Sequence, residues 1–402
     1  MILKYSVKNF MTFNKEVELN MNADLRTKVF KSNYAEKLGK NILKTAAIFG
    51  PNNTGKSNFI NSVSDFKNII SNTYIGNTNF LPNFQTKRSI IEWKVQFIYE
   101  NNLCDYCVSL NYESKTFVQE SFFYKNEKGK YGYSRNIKNK EFSCETDKDL
   151  EKAMEIASDN NILIYSIQLD NSELLNNAKK IIAGFAKSIE VIDTNTISFN
   201  KTLSFANYGA KSRTKILDFM KKTDLYFDDY IYDERKIDFI DENDEEESDS
   251  FKFMSVYNGM KMPSVLFDSL GTNKLLRMSG YILDAIENNK TIFIDELDSS
   301  LHFVLVKAII SLFNNIKNEE SQLIFTSHDI SLMDCKNMFR KEQLWFTNKY
   351  KKVAYLTCLS DFKAENGVRQ CTDILSLYEK GFLTSIPDPK LIEWLIDVKE
   401  EK

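Results

Sequence analysis

The stretch GPNNTGKS at 50–57 constrains this chain more than any other, because it satisfies GxxxxGK[ST] at every fixed position. It is preceded by ILKTAAIFG (42–50), an apolar run of the fully buried strand type. It is followed by a helix-periodic segment from about Gly55 to Ile70. Strand, glycine-containing loop and helix in that order make an anion cradle, with backbone N–H groups along the loop and the positive end of a helix behind them. The pattern predicts that the phosphates of a nucleotide lie against Asn52, Asn53, Thr54, Gly55, Lys56, Ser57 and Asn58. Lys56 is expected to reach the β- and γ-phosphates, and the Ser57 hydroxyl to bind Mg²⁺.

A partner for this loop stands at TIFIDELD (291–298). Its apolar residues make a buried strand, and two adjacent acids stand at the C-terminal edge, where ligands of α/β sheets collect. Asp295 is expected to hold Mg²⁺ through water, and Glu296 to orient and deprotonate an attacking water. The chain has two histidines, and both fall near this site: His302 follows Asp295 by seven residues, and His328 ends the apolar run LIFTSH. His328 is positioned to sense a γ-phosphate, and His302 is assigned to the same site.

Strand–helix alternation at both ends, separated by about 200 residues of other material, predicts an α/β fold. Its core is a mixed sheet with central parallel strands and flanking helices, carrying an inserted β-meander (90–135) and a helical segment (149–222). Residues 1–165 read as a first lobe and 166–262 as a helical or irregular insertion with an acidic run at 241–249; 263–402 read as a second lobe. A chain of 402 residues with 27% charged residues and a net charge of −3 has ample core and no overall basic field. No run approaches the length of a membrane span, and MILKYSVKNF lacks the apolar stretch of a signal peptide, so the cytoplasm is expected. Cys104 and Cys107 form a lone CxxC in a strand-like stretch, with no second pair to complete a zinc site.

FDSLGTNKLL (267–276) looks like a capped helix start, with Ser or Asp satisfying the first-turn N–H groups. Its position gives it a second meaning. It lies about 25 residues before the acidic strand, and His328 lies 33 residues after Asp295. This order and spacing resemble the ABC-type P-loop ATPase heads of the SMC, RecF and OLD families. YSVKNFMTF, IDELDSSLH and RKEQLWFTNKYKKVAYLTCLSDF narrow the resemblance to stand-alone bacterial AAA/ABC-type ATPases of the OLD-like, abortive-infection kind.

The resemblance implies ATP and Mg²⁺ as ligands, and it makes Ser269, Gly271 and Thr272 a signature loop that meets the γ-phosphate held by the opposite subunit. It places His302 where many ABC proteins carry a D-loop aspartate, although Phe303 stands where that pattern usually continues with proline. A Q-loop glutamine should enter the Mg²⁺ sphere; Gln168 is taken for it, with Gln85 and Gln119 as rivals. Chemistry also argues for a homodimer. One loop and one acidic strand cover ATP from one side, and a second helix N-terminus would close the other and expel water.

Two functions compete. The first is an ATP-driven dimeric switch over a separately encoded effector, a nuclease or toxin, in anti-phage defence. The 74 residues after His328 are too few for an appended TOPRIM nuclease and carry no acidic cluster of its kind. The second is a DNA-repair or DNA-clamping head that binds nucleic acid directly through KSNYAEKLGKNILK and KYGYSRNIKNK. A GTPase reading of TNKYKK (347–352) fails, because NKxD needs Asp where Lys351 stands. A transporter subunit lacks room for the inserted material.

Overall fold

The structure, a computed structural model, describes residues 1–73, 81–86, 88–144, 147–193, 197–223, 226–233, 250–362, 374–384 and 391. The acidic run at 241–249 lies outside the described residues. Two large sheets organise the rest. The first has six strands in the order Ile189–Asp193, Thr291–Asp295, Gln322–Thr326, Thr45–Phe49, Leu344–Tyr350, Val353–Cys358. All neighbours pair in parallel except the last two, which form an antiparallel edge hairpin. The central strands are buried along their whole length, which is why they read as continuous apolar runs and not as alternations.

The order has a consequence that linear spacing hides. The strand leading to His328 lies between the loop strand Thr45–Phe49 and the acidic strand Thr291–Asp295. Loop, histidine and acids therefore meet at one sheet edge, with the histidine in the middle.

The second sheet has seven strands and is antiparallel throughout. The expected meander supplies most of it, as Ile90–Tyr99, Asn102–Asn111, Thr116–Asn126 and Gly129–Asn136. It joins the N-terminal strands Ile2–Lys8 and Val17–Asn20, so the meander completes a sheet of its own instead of hanging from the parallel one. Alternating burial along Ile90–Tyr99 shows one face turned inward. The helix Lys56–Ile70 packs on that face: Phe59 and Phe66 meet the Tyr5 ring edge-on at 5.5 and 6.0 Å. Trp93 Nε1 donates to Ser62 O at 3.1 Å. A fully buried ion pair, Arg135 with Glu120, pins the chain after the meander, since Glu120 also accepts from Leu163 N and Arg135 donates to Ser158 O and Asn161 O.

The helical stretch differs from its sequence reading in one respect. Within it, Ile189–Asp193 is a strand that pairs with the acidic strand, so the parallel core reaches into the 166–262 segment. Cys104 and Cys107 lie three apart on one strand and so on opposite faces, unable to share a metal. Burial raises both thiols, Cys107 to about 11. Among the described residues no helix is long and apolar enough to cross a membrane.

Candidate nucleotide-binding site

The loop at 50–57 is tight because its neighbours leave no space for side chains. Gly50 has φ +150°, and a Cβ there would lie 2.7 Å from Thr347 O. Gly55 caps the following helix with φ +110°, and a Cβ there would meet Thr12 Oγ1 at 2.9 Å. Both positions call for glycine on conformation and on space. Thr54 is buried, donating to Pro51 O at 2.7 Å and lying 2.6 Å from Thr347 Oγ1. Asn52, Asn53 and Ser57 are exposed on the loop, while Asn58 is turned aside and donates to Thr12 Oγ1 at 3.0 Å.

Lys56 is 5% exposed, and its ammonium bridges the loop by donating to Gly50 O at 2.7 Å and Pro51 O at 3.0 Å. Burial pulls its pKa down to about 8, against the attraction of Asp295, Glu296 and Asp298. The cation thus lies in the field of all three acids. Asp295 Oδ1 accepts from Thr326 Oγ1 at 2.5 Å, and the same hydroxyl accepts from Glu296 N at 2.8 Å. Glu296 has φ +52°, a left-handed conformation that turns the chain sharply after the strand. His328 Nε2 lies 3.8 Å from Glu296 Oε1. Burial first, and Lys56 second, lower the His328 pKa below the usual imidazole value, favouring the neutral ring. Asp298 Oδ2 accepts from His328 N at 3.1 Å and Asp329 N at 3.0 Å.

Thr326 and Asp298 are thus working parts of the site that sequence reasoning missed. Thr326 joins the two acids through one hydroxyl, and Asp298 fixes the backbone at His328. Their only sequence signal is position: Thr326 stands two residues before His328, and Asp298 two after Glu296.

Ser269, Gly271 and Thr272 make no hydrogen bond to residues 50–58 among the described residues. Ser269 caps the helix Leu270–Glu287, accepting from Thr272 N at 3.2 Å, as the plain reading of the stretch requires. A Cβ on Gly271 would meet Ser300 O, so this loop packs against the turn beyond the acids. Thr272 is 7% exposed with its hydroxyl 3.0 Å from Ser269 Oγ, and it is held inward instead of being presented. His302 is exposed and caps the helix Phe303–Phe313, its Nδ1 accepting from Val304 N at 3.4 Å.

Gln168 is exposed on the chain just past Tyr165, whose hydroxyl donates to Ile70 O at 3.1 Å. Ile70 ends the helix that Lys56 begins, about 21 Å away along its axis. The structure therefore does not bring Gln168 to the loop. The rival Gln85 lies nearer: Asn83 accepts from Gln85 N and donates to Met11 O at 2.7 Å, beside the Thr12 that touches Gly55 and Asn58.

The donor set suits Mg²⁺ held mainly by a nucleotide. A serine hydroxyl and one carboxylate are the oxygen ligands such an ion takes from protein, and among the described residues no cluster of three or more His, Cys, Asp or Glu side chains forms a cage.

A family model described as "AAA domain, putative AbiEii toxin, Type IV TA system" matches residues 46–334, which span the loop, the signature stretch, the acids and His328. No curated protein matches the chain. Among solved structures, the SMC head domain from Thermotoga maritima aligns at 12% identity over 89% of this chain and 98% of its own, with a TM-score of 0.42. An SMC head bound to the C-winged helix domain of ScpA aligns at 14% identity over 89% and 97%, with a TM-score of 0.43. An SMC head with an extended coiled coil, bound to the C-terminal domain of ScpA derived from Pyrococcus furiosus, aligns at 14% identity over 90% and 97%, with a TM-score of 0.39.

Proposed function

The chain belongs to the AbiEii-type AAA domain family, and on that premise we propose that it hydrolyses ATP with Mg²⁺ and acts as a dimeric switch over a separately encoded effector, a nuclease or toxin, in anti-phage defence. The observation that carries this is a convergence at one sheet edge: the strand leading to His328 lies between the loop strand, whose loop holds the buried Lys56, and the strand ending in Asp295, with His328 Nε2 3.8 Å from Glu296 Oε1. In this reading Lys56 exchanges its bonds to the Gly50 and Pro51 carbonyls for phosphate oxygens, which return the desolvated charge a strong partner. Ser57 and, through water, Asp295 would hold Mg²⁺, which would supply positive charge against the phosphates. Glu296 orients and deprotonates the attacking water, and His328, beside Glu296, reports the γ-phosphate.

The dimer follows from what one chain leaves open. Leu266, Phe267 and Leu270 are 64%, 59% and 82% exposed around Ser269, and Phe303 and Val304 are exposed on the adjoining helix. A second copy laid on this face would cover that apolar surface and carry Ser269 and the Gly271 amide to its partner's γ-phosphate. Direct nucleic-acid binding has less behind it. In the first lysine-rich stretch Lys37 pairs with Glu320, and Lys44 is buried and donates to Asn315 O.

Glu296→Gln tests the proposal. With ATP and Mg²⁺ the variant is expected to hydrolyse nothing and to double its mass by light scattering, because water activation is lost and the closed state persists. A variant that remains monomeric with bound ATP overturns the dimeric switch.

A further inference from the structure

The site has a flank that neither the motifs nor the family model assigns. On the side of the loop strand away from His328 runs Leu344–Tyr350, parallel to it, with Trp345 opposite Ile48 and Phe346 opposite Phe49. Thr347 continues from there to touch Thr54 and donates to Phe49 O at 3.3 Å. Lys349, two residues on and so on the same face, donates from Nζ to Asn53 O at 3.3 Å. The strand thus presents a second lysine at the phosphate loop, from the side opposite the acids.

The turn beyond it also bears on this. Tyr350 pairs with Val353, so Lys351 and Lys352 form a two-residue turn with φ +47° and +69°. Left-handed conformations at both central positions normally fall to Asn-Gly, and a lysine pair there carries a conformational cost. The tip of this hairpin is therefore cationic and adjoins Lys349.

The direction of a bound nucleotide follows from the two flanks. The γ-phosphate end belongs with Asp295, Glu296 and His328, because the strands that end in those groups lie together on one side of the loop strand, with His328 Nε2 3.8 Å from Glu296 Oε1. With the loop strand between the flanks, the nucleoside end emerges on the side of Leu344–Tyr350. We propose that Lys349 is a nucleoside-side contact of the site, its ammonium reaching ribose oxygens from Asn53 and its methylene stem lying along a face of the base. This rests on the nucleotide-binding reading and extends it: the Leu344–Cys358 hairpin is then the wall that receives the sugar and base.

The test compares three probes in the presence of Mg²⁺: ATP, ADP and inorganic tripolyphosphate, which has the charge but no nucleoside. Lys349→Ala is expected to weaken ATP and ADP alike by about ten-fold, the size of one charge-assisted hydrogen bond together with the lost packing of the stem, and to leave tripolyphosphate within about two-fold of wild type. Lys349→Met keeps the stem and the fold while removing the charge, and it should fall between the alanine variant and wild type. Equal weakening of tripolyphosphate overturns the proposal, because Lys349 would then serve the phosphates. Unchanged ATP and ADP affinity in both variants overturns it as well. A wild-type protein that binds none of the probes would instead overturn the nucleotide reading beneath it, so the two failures are distinct.

Discussion

Lys56 shows how a single residue's burial becomes a measurable pH dependence. Its folded pKa of about 8 lies below the ordinary lysine value, so between those two limits the unfolded chain binds more protons than the folded one. Stability of the nucleotide-free protein therefore rises with pH across that window, and Lys274, also pulled down to about 8, adds in the same direction. In the proposed reading nucleotide affinity runs the other way, because phosphates pair with the charged ammonium. ADP binding is expected to be flat below about pH 8, to weaken above it, and to take up a proton there, as read by calorimetry in buffers of different ionisation enthalpy. Affinity that stays level to pH 9.5 would show that Lys56 keeps its proton in the free protein. Lys56, Asp295 and Glu296 were legible because each belongs to a motif with fixed spacing. Thr326 and Asp298 were not, since a threonine hydroxyl acquires its role only when Gln322–Thr326 is laid beside Thr291–Asp295.

Elements were legible where local pattern decides them. The helices at Lys56–Ile70 and Leu270–Glu287 begin and end within about a residue of their periodic segments, each with its cap. What the pattern lacked was partnership between distant segments: the meander's union with the N-terminal strands, and the placing of Ile189–Asp193 beside the acidic strand. Gly280 is a case in point, an ordinary weak spot in a helix by propensity. In the fold it is the point where the helix Asn200–Asn207 approaches, a Cβ there meeting Thr202 N at 2.8 Å.

Lys274 joins two elements through backbone alone. It is 7% exposed on the helix Leu270–Glu287 and donates to Glu296 O at 3.3 Å and to Ser299 O, tying that helix to the turn that carries Glu296, the proposed general base. Because Ser269 serves one site and Glu296 the other in the proposed dimer, this tie connects the two sites through one chain. Lys274→Met keeps the volume and leaves those carbonyls without their donor, costing about 1–3 kcal/mol of stability. Its distinguishing effect is on turnover: kcat should fall at least ten-fold while ADP affinity stays within about two-fold, because Lys56 is untouched. Equal losses in kcat and ADP affinity would mean that the substitution had merely loosened the fold.

At the scale of the molecule, the decisive feature is that the two halves of the proposed site are not joined within one chain by any hydrogen bond among the described residues. Lys56, Glu296 and His328 converge on one edge of the parallel sheet, while Ser269 and Gly271 make no hydrogen bond to residues 50–58 among the described residues. Fold alone could supply this arrangement as an accident of capping, and the apolar residues around Ser269 as scattered exposure. Complementation separates the two. In Lys56→Ala every chain lacks a working loop, and in Ser269→Arg every chain lacks a signature loop, although losing the cap itself costs only about 1 kcal/mol. Neither homodimer has a complete site. A mixed dimer has one, because the Lys56→Ala chain lends its intact Ser269 to the intact loop of its partner. Random exchange in an equal mixture should then restore about a quarter of wild-type ATP hydrolysis, one site in half of the dimers. A mixture as inactive as its components, when both still fold and exchange subunits, would mean that each chain hydrolyses ATP without Ser269 of another.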